Sequence, residues 1–172
     1  AQIEGAGIAR PADFISLIPN ITLVDSANVG DTQVSIRGIV STRDAESTFA
    51  YVVDGVLVTN PNGFNEELLD VSQIEVLKGP QGALYGRNAV AGAIIVTTNK
   101  PDGEAEAQVK VGVGNNNART GSAVFSGALI EDELYGRFSI SRRETDGFFS
   151  NVYLGRDDAV DYMEDTTVRG RL

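Results

Sequence analysis

From residue 106 onward the chain alternates. Ala107, Val109, Val111 and Val113 are apolar, and Glu106, Gln108 and Lys110 between them are polar. The next run sets Ala123, Phe125 and Leu129 against Thr120, Ser122 and Ser126. A third sets Leu134, Phe138 and Ile140 against Tyr135, Arg137, Ser139, Ser141 and Arg143, and a fourth begins with Val168, Gly170 and Leu172 against Thr167, Arg169 and Arg171. Period two belongs to β-strands and to no helix. The connections are short at Asn115–Asn117, short at Glu131–Glu133, and long and acidic from Thr145 to Asp165. Strands that are apolar on one face and rich in Arg and Ser on the other fit the wall of a transmembrane β-barrel. They fit equally an antiparallel sheet of a soluble protein, one face buried and one wet. Four strands cannot close a barrel, which takes about eight. A pattern that stops in mid-strand at Leu172 predicts a truncated sheet.

Several chemistries are excluded by what is missing. The 172 residues contain no His and no Cys. That removes His-based triads, Cys nucleophiles, zinc and iron–sulfur sites and disulfides. With 14 Lys+Arg against 24 Asp+Glu, the formal charge is −10. Nucleic acid is an improbable partner for such a chain, because phosphate binding needs clustered cations. The longest small-and-apolar run, Ala89–Val96, is far short of the roughly 20 residues of a membrane-spanning helix. Residues 1–10 lack the charged start and apolar stretch of a secretory signal. Spanning by strands is untouched by either argument.

Before Lys100-Pro101-Asp102-Gly103 the grammar is mixed. Arg10–Pro19 predicts a short helix, with Pro11 at its start, Phe14, Leu17 and Ile18 on one face, and Pro19 as its stop. Gln33–Ile36 predicts a strand and Ser41–Ser47 a polar loop. Phe49–Val53 and Val56–Val58 flank Asp54-Gly55, a strong hairpin signal because a type I′ turn needs two positive φ angles. Glu66–Asp70 predicts one or two helical turns, Gln73–Leu77 a buried strand, the region of Ala83–Tyr85 a short helix, and Gly92–Thr98 a last strand. The first part reads as a small α+β domain.

An ordered series within it carries a resemblance. Val34-Ser35-Ile36-Arg37-Gly38-Ile39, then Tyr51-Val52-Val53-Asp54-Gly55-Val56, then the glycine-rich run from Gln73 to Pro101 are similar to the plug domain of TonB-dependent outer-membrane receptors. Arg143-Glu144-Thr145-Asp146-Gly147-Phe148 resembles the same family where its third barrel strand runs into a loop. The fold implied is an α+β plug domain followed by antiparallel strands of a truncated transmembrane β-barrel. Residues 1–101 would be an N-terminally incomplete plug, and 102–172 the first three to four strands of a wall of about 22.

The resemblance implies a receptor, not an enzyme, in the outer membrane of a Gram-negative bacterium. It implies active uptake of a scarce ligand such as a ferric siderophore, with the plug gating the lumen. Partners would be TonB, through a segment upstream of residue 1, the ligand, and outer-membrane lipid. No cofactor, metal or catalytic residue is implied. A plug-like binding or sensing module that does not transport is the alternative. By position, Arg37 and Lys78 correspond to the family's basic residues that pair with wall glutamates and lock the plug. Charge-assisted pairs suit a part that is immobile at rest and yields under load. Lys78 stands where the family has Arg and lacks the bidentate fork. The motif glycines and turn residues are Gly38, Asp54, Gly55, Gly79, Pro80, Gly82, Tyr85, Gly86 and Gly92. Ligand contacts would come from outward loops at Asp25–Asp31, Ser41–Thr48 and Thr59–Asn65, with Arg43, Asn62 and Phe64 the named residues.

Two other readings of the motifs are weaker. The glycines from Gly79 to Gly92 fit neither a P-loop nor a dinucleotide fingerprint, and close packing explains them better. The acids from Asp157 to Asp165 lack the alternation and central glycine of an EF-hand loop.

Overall fold

Asp13 starts the first helix: its carboxylate accepts the backbone N–H groups of Ala9 and Arg10, both at 2.8 Å. The computed structural model describes residues 8–25, 32–41, 47–60, 64, 66–86, 88–149, 151–155 and 162–172, and the chain divides into two units, Ala1–Asn99 and Lys100–Leu172. Helix α1 (Pro11–Ile15) is shorter than its sequence pattern. Beyond it Leu17 and Ile18 bond to the carbonyls of Phe14 and Ile15, a spacing of three that tightens the last turn. That tightening corrects the expected apolar face. Phe14 and Ile15 are buried, while Leu17 turns outward.

Three strands follow as an antiparallel sheet, β1 (Ile21–Asp25), β2 (Thr32–Ile36) and β3 (Ile39–Val40). β1 was not among the expected strands. Val34 and Ile36 on β2 are completely buried. A second sheet has the order β5-β4-β7-β6, from β4 (Phe49–Val53), β5 (Val56–Val58), β6 (Val71–Lys78) and β7 (Gly92–Thr98). The β4–β5 hairpin turns at Asp54-Gly55 as the sequence predicts. The central pair β4 and β7 is parallel. Parallel strands lie inside and are covered on both faces, which accounts for the unbroken apolar runs FAYVV and GAIIV. Phe49, Tyr51, Ile94 and Val96 face one core, together with Phe14, Ile36 and Phe64. Ala50, Val52, Ala89 and Ala93 face a smaller one.

Two expectations fail in this unit. β6 is an edge strand with partly exposed residues, not a buried one, because β7 covers one flank only. Residues 66–70 form no helix: the N–H of Leu68 is taken by the carbonyl of Ala9, and Asp70 has φ 58°. A distant strand-like contact here outcompetes local helix propensity. Helix α2 (Gly82–Tyr85) forms in the expected region.

The second unit is a four-stranded antiparallel sheet in the order β11-β10-β9-β8, comprising β8 (Glu106–Val113), β9 (Arg119–Ile130), β10 (Leu134–Thr145) and β11 (Met163–Arg171). β11 begins earlier than the apolar alternation, at Met163, because its first half, Glu164-Asp165-Thr166-Thr167, is polar on both faces and shows no alternation in sequence. The sheet is open, with β8 and β11 at its edges.

Candidate functional site

The expected lock residues meet at one corner. Arg37 and Gly38 form the two-residue turn between β2 and β3, with φ 53° and 81°. The N–H of Arg37 donates to the carbonyl of Asn20 at 2.9 Å. Lys78, at the end of β6, donates from Nζ to the carbonyl of Pro19 at 2.7 Å. A Cβ placed on Gly79 would lie 3.6 Å from Nη1 of Arg37. The Lys78 ammonium and the Arg37 backbone thus both bond to the Pro19–Asn20 bend, while the Arg37 guanidinium lies beside Gly79, next in sequence to Lys78. The lysine bond to a backbone carbonyl was not foreseen, because such an acceptor leaves no trace in sequence.

The glycine-rich segment after Lys78 folds back tightly. Gly79 has φ 116° and donates to the carbonyl of Ala91, while Gln81 donates to that of Ala89. Pro80 lies between these two donors and is exposed. α2 ends when Gly86, at φ 78°, bonds back to Gly82; Tyr85 on that helix is half-buried against the smaller core. At Gly92 a Cβ would stand 2.2 Å from the carbonyl oxygen of Leu77, so no larger residue fits between β6 and β7. No phosphate cradle is needed to explain this glycine.

Asp54 does more than turn a hairpin. Its φ is 49°, and its two carboxylate oxygens accept from the N–H of Thr98 at 2.8 Å and the hydroxyl of Thr98 at 2.7 Å. Its own N–H donates to the carbonyl of Val96. One step on, Asn99 donates from Nδ2 to the carboxylate of Asp70 at 2.7 Å. Both ties anchor the end of β7. Sequence reasoning missed Thr98, Asp70 and Asn99, because these contacts span 44 and 29 residues.

Of the named ligand residues, Arg43 and Asn62 lie outside the described residues. Phe64 faces inward: it is 3% exposed and packs edge-on against Phe49 and Tyr51, with ring centroids 5.1 and 5.0 Å away. Its surface is spent on the core, and this corrects its assignment to an outward contact. Among the described residues no group of three or more carboxylates gathers to hold a metal.

The four-stranded sheet has two unlike faces. Pairing sets Ala107 beside Phe125, Phe125 beside Phe138, and Phe138 beside Gly170; the next row is Val109, Ala123, Ile140 and Val168. All of these share one face with Val111, Val113 and Leu129, and most of their larger side chains are exposed. The other face carries Ser122, Ser126, Ser139 and Ser141 with Lys110, Arg137, Arg143, Arg169 and Arg171. There Arg137 is buried and reaches Glu106 at 2.7 Å, across the small Ser126 on the strand between them.

The apolar face ends unevenly: on β8 it reaches Val113, whereas on β9, β10 and β11 its last apolar side chains are Ala123, Ile140 and Val168, all in the row of Val109. Beyond them lie Arg119, Arg142, Glu144 and Glu164.

The chain has relatives among known proteins. A family model described as the TonB-dependent receptor plug domain matches residues 1–93. The chain is similar to the pesticin receptor of Yersinia enterocolitica, 30% identical over 158 residues, which cover 91% of this chain and 23% of that protein. It is 36% identical to the ferrioxamine B receptor of Salmonella typhimurium over 155 residues, covering 87% of this chain and 22% of the relative. The crystal structure of the ferric yersiniabactin uptake receptor of Yersinia pestis superposes with a TM-score of 0.83 at 28% identity, over 96% of this chain and 26% of that one. The chain thus spans about a quarter of the length of the proteins it matches.

Proposed function

Because the chain belongs to the TonB-dependent receptors of the Gram-negative outer membrane, a family of receptors and not of enzymes, we propose that it gates and takes up a scarce ligand, an iron chelate of the siderophore class. Residues 1–101 are the plug and 102–172 the first strands of a barrel of about 22. The single observation that carries this reading is the exposed apolar face of the four-stranded sheet, with Val109, Val111, Val113, Phe125, Phe138 and Val168, set back to back with a face of Ser and Arg. The ligand class is supported by relatives named for ferrioxamine B and ferric yersiniabactin.

The plug is held by Arg37 and Lys78. The nearness of the Arg37 guanidinium to Gly79, next to Lys78, supports a shared patch of wall glutamates as their partners. An ammonium has three donors, so Lys78 keeps its bond to Pro19 and still meets a carboxylate. Load arrives from TonB through a segment upstream of residue 1 and breaks these polar contacts before the apolar core. The loops at 41–48 and 59–65, with Arg43 and Asn62, supply ligand contacts.

The test is uptake by cells carrying the full-length receptor, with and without TonB, from a panel of ferric siderophores. Accumulation of at least one chelate that depends on both receptor and TonB is expected. Binding with no TonB-dependent accumulation of any chelate overturns transport and leaves a binding module.

A further inference from the structure

The polar face of the four-stranded sheet reverses the charge of the chain. With 14 Lys+Arg against 24 Asp+Glu overall, a solvated face would share the acidic excess. Here Lys110, Arg137, Arg143, Arg169 and Arg171 stand against Glu106 and Asp165. The register spreads the cations evenly. Successive same-face rows across the strands hold Arg137 with Arg171, then Arg169, then Lys110, then Arg143. The two acids sit in the first and last of these rows. We propose that the rows form a path for an anion, and that the ligand taken up is a chelate of net negative charge, its iron held by carboxylate or catecholate oxygens. The inference names the ligand class for the proposed uptake and rests on that reading.

Same-face rows lie about 7 Å apart, so the strip runs for about 20 Å and offers a cation at every step. Arginine and lysine donate hydrogen bonds and accept none, which suits a ligand whose surface is anionic oxygen. Serines fill the places between. Ser126 lies in the first row, Ser139 beside Arg169, and Ser122 and Ser141 in the row of Lys110. Ser139 and Ser141 are buried. Their side chains are short, so the cations are the groups that reach furthest from the backbone. The acid of the first row is already matched, since Glu106 receives Arg137 at 2.7 Å. At the two ends of the strip a polar atom lacks a partner: Oγ of Ser126 in the first row and Nε of Arg143 in the last are buried without a hydrogen bond. Such atoms mark places for a group that the chain itself does not supply. Several moderate sites in series let an ion enter and also leave, which one deep site does not.

The experiment measures TonB-dependent uptake by cells carrying the full-length receptor. The probes are ferric enterobactin and ferric dicitrate, both anionic, ferrichrome, which is neutral, and ferrioxamine B, which is cationic. An anionic chelate is expected to accumulate. R143Q/R169Q is expected to slow its uptake about tenfold, while its Kd on cells lacking TonB stays within about twofold. R143K/R169K keeps both charges and is expected to stay within about twofold of the parent rate. Accumulation of neutral or cationic chelates alone overturns the inference, and so does an unchanged rate in R143Q/R169Q. Equal loss in the Gln and Lys variants, with faster hydrogen exchange across 134–145 and 163–171, reduces the arginines to a structural role and overturns it as well. A parent that accumulates no chelate through TonB sinks the uptake reading itself, and the anion path with it.

Discussion

Replacing Asp54 by Ala removes the acceptor of two hydrogen bonds from Thr98, one from its N–H and one from its hydroxyl. Thr98 is 1% exposed, so water does not replace the lost carboxylate without opening the strand end. Bonds to an ionised partner are each worth about 1.5–3 kcal/mol, and the lower end suits this half-buried pair. The φ of 49° adds about 1 kcal/mol for Ala, which lacks the local bonding that lets Asp adopt it. The sum is about 4 kcal/mol, felt at the junction of β4, β5 and β7. Asp54→Asn keeps the turn and one acceptor and loses about 1.5 kcal/mol. Global melting is a poor assay for one strand end, because it reports the whole protein at once. Hydrogen exchange of peptides covering 92–99 in the full-length receptor reads the local opening directly. At about 1.4 kcal/mol per tenfold, the Thr98 amide should exchange several hundredfold faster in the Ala variant and about tenfold faster in the Asn variant. Unchanged protection in D54A would refute the carboxylate as the anchor of β7.

Gly92→Ala should loosen β6 from β7 by about 3 kcal/mol, since the new methyl meets the Leu77 carbonyl, whereas Gly82→Ala, with open space around it, should be near neutral; exchange protection across 71–78 separates them. Phe64→Leu should lower local plug stability by about 1–2 kcal/mol and leave ligand Kd within about twofold; a tenfold change in Kd at unchanged exchange would return Phe64 to the ligand site. Spin labels at Val111, Leu129 and Phe138 in bilayers should respond to lipid-borne relaxation agents, and labels at Gln108, Lys110 and Thr167 should not; the reverse pattern would put the register one residue out.

What was legible in the sequence was what is local. The Asp54-Gly55 turn follows from its own φ requirements, and the faces of β8 to β10 follow from period two. The two-residue turn at Arg37-Gly38 was not among the expected turns, since an arginine at φ 53° carries no such local signal. What escaped depends on distant partners. Phe64, an aromatic residue in a polar loop, reads as exposed until Phe49 and Tyr51 supply a place for it. Residues 66–70 read as helical because nothing in them announces the bond from Leu68 to Ala9. Thr98 looks like any strand threonine without the hairpin that reaches it. The border of the apolar face is a mixed case: each charge is visible in the sequence, but which residues end that face side by side is known only once the register is.

The parallel pairing of β4 with β7 also orders folding in time. β4 meets β5 through the local Asp54-Gly55 turn, but its other flank stays unpaired until β7, more distant in the chain, arrives. Pairing of that kind forms slowly, so the apolar run FAYVV is the segment of this unit most exposed to misassociation while folding is incomplete.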